Sequence, residues 1–289
     1  MNLTDYNEIR ALLSRHDFRF SKSLGQNFLT AAWVPKRIAE AAGLDEQTGV
    51  LEVGPGVGCL TEQLSLRAGK VLAVELDKAL KPVLAETLAG RENIEILFGD
   101  VLKQDLPALA AEKLPGLRPV ICANLPYNVT TPLLTAFLEA GCFETVTVMI
   151  QREVARRICA PAGTADYGAF GLFVQWHCET ELLFDVPPSC FVPQPKVTSS
   201  VIRLTRRAEK PYPVRDEKLL FRVIRAAFNQ RRKTLVNAAG SQVPGVSRET
   251  VERVLQTLGY DTRIRGEVLD IGGFAKIANE ITGIRDADL

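Results

Sequence analysis

From about Gly49 to Ile150 the hydrophobic positions fall in short runs separated by stretches of helical period. The runs are Val50-Leu51-Glu52-Val53, Val71-Leu72-Ala73-Val74, Ile94-Glu95-Ile96-Leu97, Val120-Ile121-Cys122-Ala123 and Val146-Thr147-Val148-Met149-Ile150. Each is of strand length and most are nearly continuous apolar, as strands covered on both faces should be. Leu60–Ala68 and Lys78–Leu88 read as helices between them. This alternation predicts an α/β fold with a doubly wound, mostly parallel sheet. Glu179–Val186 and Val197–Leu204 add two strands, making a seven-stranded, Rossmann-like sheet, and four prolines between them (Pro187, Pro188, Pro193, Pro195) restrict the connecting loop. Beyond Glu209-Lys210-Pro211-Tyr212-Pro213 the pattern changes: Lys218–Asn237, Arg248–Leu258 and Ile271–Ile281 read as helices with no strand between. The chain is thus expected to divide near residue 208, into an α/β domain over 1–208 and a smaller all-helical domain over 209–289.

The 289 residues are 46% hydrophobic and 24% charged, which is ordinary for a globular protein. No apolar run is long enough for a membrane span, and the acids Asp5 and Glu8 with no apolar h-region argue against a secretory signal. Six scattered cysteines (Cys59, Cys122, Cys142, Cys159, Cys178, Cys190) make no CxxC pair, and neither His16 nor His177 has a partner at ligand spacing. The expectation is therefore reduced thiols, no metal site and a cytoplasmic location. Net charge is only +1, but its distribution is uneven. From Val201 to Leu235 eleven Lys/Arg, among them Arg222, Arg225, Arg231, Arg232 and Lys233, face three acids, a local balance of +8. That is a field a nucleic acid would meet, or else a solvated helix face.

Glu52-Val53-Gly54-Pro55-Gly56-Val57-Gly58 follows the first strand and opens a helix. Glycines there let the backbone turn tightly and a ligand approach without a Cβ in the way. Glu75-Leu76 ends the next strand, twenty-one residues beyond Gly54, where a carboxylate can accept from both hydroxyls of a ribose. Asp100-Val101 follows the third strand, where a carboxylate can accept from an adenine amine. The G-x-G-x-G spacing is not the dinucleotide G-x-G-x-x-G, and it suits a nucleoside without a pyrophosphate, such as S-adenosylmethionine.

The fourth strand ends in Asn124-Leu125-Pro126-Tyr127, a pattern of amino-methyltransferases. The Asn124 side-chain carbonyl and the Leu125 backbone carbonyl can each accept one hydrogen of an adenine N6. Pro126 removes a competing donor and stiffens the turn. Tyr127 offers a flat face for a flipped base. Phe191, in Phe191-Val192-Pro193-Gln194-Pro195-Lys196-Val197-Thr198-Ser199, can form the other face of a base sandwich or be a core phenylalanine. Lys22-Ser23-Leu24-Gly25-Gln26-Asn27-Phe28-Leu29 can bring Gln26 and Asn27 to the methionine end of the cofactor.

In combination these motifs, with Gln151-Arg152-Glu153-Val154-Ala155 and Gln230-Arg231-Arg232-Lys233-Thr234-Leu235, resemble the KsgA family of ribosomal RNA adenine N6,N6-dimethyltransferases over nearly the whole chain. The resemblance implies four methyl transfers from S-adenosylmethionine to two adjacent adenosines. These lie in the hairpin near the 3′ end of small-subunit ribosomal RNA, within an immature subunit. It implies cofactor contacts by Asn27, Leu29, Gly54, Gly56, Glu75, Leu76, Asp100, Val101 and Asn124, and base contacts by Asn124, Leu125, Tyr127 and Phe191. RNA contacts would fall to the basic segment, and nothing in the chain suggests oligomer contacts, so a monomer is expected. Tyr167-Gly168-Ala169-Phe170-Gly171-Leu172 departs from the Tyr-Gly-x-Leu-Ser-Val of that family, and the helices beyond Gly240 are its least characteristic part. Two alternatives remain. One is an Erm-type enzyme of large-subunit RNA, whose motif is usually Asn-Ile-Pro-Tyr, so Leu125 and Thr130-Thr131-Pro132-Leu133-Leu134 weigh against it. The other is a non-catalytic assembly factor.

Overall fold

The computed structural model describes residues 1–19 and 25–287. The chain forms two compact units, residues 1–155 with 180–206, and residues 156–179 with 207–289. The first carries seven strands in one sheet: β2 (Thr48–Val53), β3 (Lys70–Glu75), β4 (Ile94–Phe98), β5 (Arg118–Asn124), β6 (Thr145–Gln151), β7 (Cys178–Val186) and β9 (Ser199–Arg206). Their order across the sheet is β4-β3-β2-β5-β6-β9-β7. The pairs among β4, β3, β2, β5 and β6 are parallel, and β9 runs antiparallel to β6. Helices α3 (Cys59–Ser65), α4 (Lys81–Thr87), α5 (Leu106–Lys113) and α6 (Thr130–Ala140) make the crossovers, and α1 (Tyr6–Arg15) and α2 (Trp33–Ala41) precede them.

The unbroken apolar runs have their explanation in this topology. Val50, Val71, Ile121, Cys122, Val148 and Met149 are almost wholly buried, because central parallel strands are covered on both faces. The chain winds outward from β2 to β4 in one direction and from β5 to β6 in the other. A crevice therefore opens at the carboxyl ends of β2 and β5, where ligands bind in open α/β sheets. A second, two-stranded sheet pairs β1 (Phe28–Leu29) with β8 (Phe191–Val192), which the sequence did not suggest because two-residue strands carry no readable period.

The second unit is not the contiguous 209–289 of the sequence reading. It also takes in residues 156–179, so α8 (Ala169–His177) belongs to it and α7 (Arg152–Cys159) spans the division. The reason is burial: Tyr167, Leu172 and Trp176 share one core with Leu220, Val223, Ile224, Phe274 and Ile277. Gly171 lies so close to α7 that an added Cβ would meet the Arg157 carbonyl oxygen at 2.4 Å. The stretch that departs from the family pattern is thus core of this unit. The single helix expected over 218–237 is two, α9 (Glu217–Asn229) and α10 (Leu235–Gln242). Thr234 is extended between them and its side chain caps α10 by accepting from the Asn237 N–H. Two more helices, α11 (Arg248–Thr257) and α12 (Ile271–Ala287), complete the unit. Among the described residues no helix is long and apolar enough to cross a membrane, and no His/Cys/Asp/Glu group has a metal-holding arrangement.

Candidate active site at the carboxyl ends of the strands

The crevice holds a cavity of about 300 Å³, within the usual range for small-molecule sites. Its walls come from the ends of β2, β3, β4 and β5 and from residues 25–29. Asn27, Leu29, Gly54, Gly56, Glu75, Leu76, Asp100, Val101, Asn124, Leu125, Pro126 and Tyr127 all line it. The sequence motifs, scattered over a hundred residues, therefore meet around one space. Lys22, Ser23 and Leu24 of the amino-terminal motif lie outside the described residues.

Gly54 and Gly56 both adopt left-handed φ, at 70° and 60°. An added Cβ at Gly54 meets nothing within 4 Å, so the cavity is open in front of it, whereas one at Gly56 would press on the Phe28 ring at 3.2 Å. Glu75 is nearly buried, and its carboxylate accepts from the Asp77 N–H (2.8 Å) and the Gly56 N–H (3.4 Å). Burial raises its pKa above the ordinary carboxylate value, against the lowering effect of those two bonds. Asp100 accepts from the Leu102 N–H at 3.0 Å, and Lys103 stands 3.8 Å from its other oxygen. The Gln26 amide donates to Asp77 at 2.8 Å, tying the amino-terminal segment to the turn after β3.

Two lining residues were given no role of their own from sequence, although Glu52 opens the glycine motif. Glu52 is 1% exposed, and burial, with the charge of Glu75 adding to it, pushes its carboxyl up to about 8 against the lowering effect of the Thr61 hydroxyl. The partner it has within the fold is the Thr61 hydroxyl, itself wholly buried. The available signal was a carboxylate next to the end of the apolar run Val50–Val53. Leu102 is 41% exposed at the wall beside Asp100, an apolar side chain without a protein partner to cover it.

The acceptor turn is held from several directions. The Leu125 N–H donates to the Met149 carbonyl on β6 (3.1 Å), the Thr130 hydroxyl to the Pro126 carbonyl (3.1 Å), and the Tyr127 and Ser199 hydroxyls share a 2.6 Å hydrogen bond. Asn124 lines the cavity half-buried, where its amide can both donate to and accept from a ligand. Burial raises the Tyr127 pKa, with the Ser199 bond opposing it, so the phenol is neutral near pH 7.

Phe191 does not join this site. It is 2% exposed, pairs with Leu29 in the small sheet and packs among Leu29, Val34 and Cys190, so it is a core phenylalanine rather than the second face of a base sandwich. The basic segment is also less charged than its composition suggests. Arg203 pairs with Glu181, Arg207 with Glu179, Lys210 with Glu217, and Arg231 with Glu267. Arg231 additionally donates to the Ala165 carbonyl and lies over the Phe228 ring, so it serves the second unit internally. Arg222 and Arg225 remain exposed on α9 in one stripe with Lys218, and Arg232 and Lys233 are exposed just beyond it.

With this geometry in place, the comparisons with known proteins bear on what the site is. The family model "Ribosomal RNA adenine dimethylase" matches residues 17–281. "Ribosomal RNA small subunit methyltransferase A" of Geobacillus thermodenitrificans is 46% identical over 276 residues, covering 94% of this chain and 94% of that protein. Among solved structures, a dimethyladenosine transferase from Plasmodium falciparum aligns with a TM-score of 0.74 at 25% identity, covering 88% of this chain and 97% of that one. The 23S rRNA methyltransferase ErmE aligns with a TM-score of 0.68 at 28% identity, covering 88% and 99%. A match over most of the chain by both measures means that this chain belongs to the ribosomal RNA adenine dimethylase family.

Proposed function

We propose that the protein transfers methyl groups from S-adenosylmethionine to N6 of two adjacent adenosines in the 3′-terminal hairpin of small-subunit ribosomal RNA, acting on an immature small subunit in the cytoplasm. The observation that carries this is the convergence of Glu75, Asp100 and Asn124–Tyr127 on one cavity. The residues fit such a cofactor. Glu75 suits a ribose, Asp100 an adenine amine, and the open space before Gly54 a close-lying chain. When bound, the cofactor supplies an electrophilic sulfonium methyl.

The protein's own part is positioning. An adenine N6 lone pair is delocalised into the ring and is a weak nucleophile. By accepting both N6 hydrogens, the Asn124 side chain and the Leu125 carbonyl hold the amine in place and favour a more pyramidal nitrogen. Tyr127 supplies one stacking face. The methylated amine is acidic enough to lose its proton to water, so no strong base is needed and most of the acceleration comes from orientation. Lys218, Arg222, Arg225, Arg232 and Lys233 supply cations for the RNA backbone. The small-subunit target is favoured over the large one by the 46% identity to a small-subunit enzyme against 28% to ErmE.

The test is transfer of labelled methyl groups to small subunits from a strain lacking the modification, with large subunits as control. Label in small-subunit N6,N6-dimethyladenosine is expected. Label on the large subunit alone would indicate an Erm-type enzyme, and tight binding without label a non-catalytic assembly factor.

A further inference from the structure

We infer that Ser199 is a positioning residue for methyl transfer, acting through the Tyr127 hydroxyl to hold the tyrosine ring as the platform for the adenine. The inference rests on the reading of the site as an adenine-N6 methyltransferase.

Tyr127 leaves the backbone in a one-turn 3₁₀ segment, Tyr127–Val129, directly after the Pro126 turn. Its ring lines the cavity and is only half-buried. Fixed at its Cβ end alone, such a ring samples several orientations, and ordering it on substrate binding costs entropy. The far end is not free, however. The phenol oxygen is 2.6 Å from the Ser199 Oγ, seventy-two residues later in the chain. Ser199 is itself immobile: it is fully buried, begins β9 and pairs with Gln151 at the end of β6. Its neighbour Ser200 points to the opposite face, as strand alternation requires, and donates to Asp185 of β7 at 2.5 Å. The first residues of β9 are therefore pinned on both faces, and Ser199 offers a fixed point to the ring.

The bond could be no more than the satisfaction of a half-buried phenol. Tyr167 illustrates that case, being 1% exposed with its hydroxyl on the Leu269 carbonyl inside the second unit's core. Tyr127 differs because it is half-buried at the wall of the cavity while its hydroxyl is anchored to the buried Ser199.

The experiment is a double-mutant cycle on the full chain, Ser199→Ala, Tyr127→Phe and both, read as single-turnover methyl transfer to small subunits lacking the modification. Each single substitution removes the same hydrogen bond and should slow transfer on the order of 3- to 10-fold, the cost of ordering one free ring. The double variant should be no slower than the slower single and S-adenosylmethionine affinity should stay at the wild-type value, while each single variant melts slightly lower for the loss of one buried hydrogen bond. Multiplicative effects, an unaffected Ser199→Ala, or a fall in cofactor affinity alongside would overturn the inference. Wild-type transfer in the same assay tests the underlying reading separately. A measurement free of activity accompanies it. With fluorotyrosine in all five tyrosines, identified by loss of one signal in Tyr127→Phe, the Ser199→Ala substitution should shift the Tyr127 resonance alone. An unshifted resonance rejects the inference whether or not the protein methylates.

Discussion

The two loops that make the site, Glu52–Gly58 after β2 and Asn124–Tyr127 after β5, leave neighbouring parallel strands at the same edge of the sheet and are held by different means. The first is shaped by its own backbone, through glycines in left-handed conformations at 54, 56 and 58, whose N–H groups at 54 and 56 reach Val74 and Glu75 at the end of β3. The second contains no glycine and is held from outside by Met149 and Ser199, with Thr130 closing the turn locally onto the Pro126 carbonyl. The difference teaches where each loop is fragile. A local change should damage the glycine loop, while the acceptor turn should tolerate local changes and fail when a group that touches the base is removed.

The largest effect expected is at Asn124. Asn124→Ala should lower methyl transfer on the order of 10²- to 10³-fold, as removing one preorganised partner does, with cofactor binding only partly reduced. Near-normal turnover would sink the acceptor role. Next, Gly56→Ala places a side chain at φ 60° against Phe28. A strain of about 1–2 kcal/mol predicts roughly tenfold weaker cofactor affinity by titration, and unchanged affinity would mean the loop is not backbone-limited. Arg222→Glu with Arg225→Glu should touch neither loop. It should weaken small-subunit binding several-fold and flatten its salt dependence, leaving cofactor affinity intact; binding indifferent to salt refutes the RNA role.

Pro126→Ala is the counterpart of the glycine substitution. Because two ties from elsewhere, Met149 and Ser199, hold the turn, it should slow transfer less than about threefold, and a larger loss would make the turn as locally determined as the glycine loop. The smallest effect concerns stability. Burial lifts the Glu52 carboxyl from 4.5 to about 8, so the folded state holds its proton more tightly than the unfolded chain does. That contribution is complete below about pH 4.5 and is lost as pH rises through about 8. Glu52→Gln without cofactor should therefore melt a few degrees above wild type at pH 8, converging toward pH 4.5. Equal melting at both pH values would show that the carboxyl titrates as an exposed one.

The α/β sheet and the cofactor loop were legible because both are written locally. Continuous apolar runs such as Val120–Ala123 mark strands with two covered faces, and Gly54-Pro55-Gly56-Val57-Gly58 marks a turn only glycine makes readily. Phe191 was ambiguous for the converse reason. A phenylalanine in a proline-bounded segment suits a stacking face or a core equally well, and only the pairing of Leu29 with Phe191 turns it inward. The +8 segment misled in the same way. Glu179, Glu181 and Glu267 come from outside the segment, so no local count registers their neutralisation of Arg207, Arg203 and Arg231.

By itself, then, the sequence determined the order of strands and helices, the glycine loop and the chemical types gathered at the strand ends, since those follow from hydrophobic period and from what each side chain and backbone permits. The tertiary structure decided what depends on residues far apart meeting: the transfer of 156–179 to the helical unit, the burial that moves Glu52, the bond between Tyr127 and Ser199, and which arginines keep their charge for a partner. Period and propensity act over a few residues, whereas burial and pairing are set by whatever the fold brings alongside.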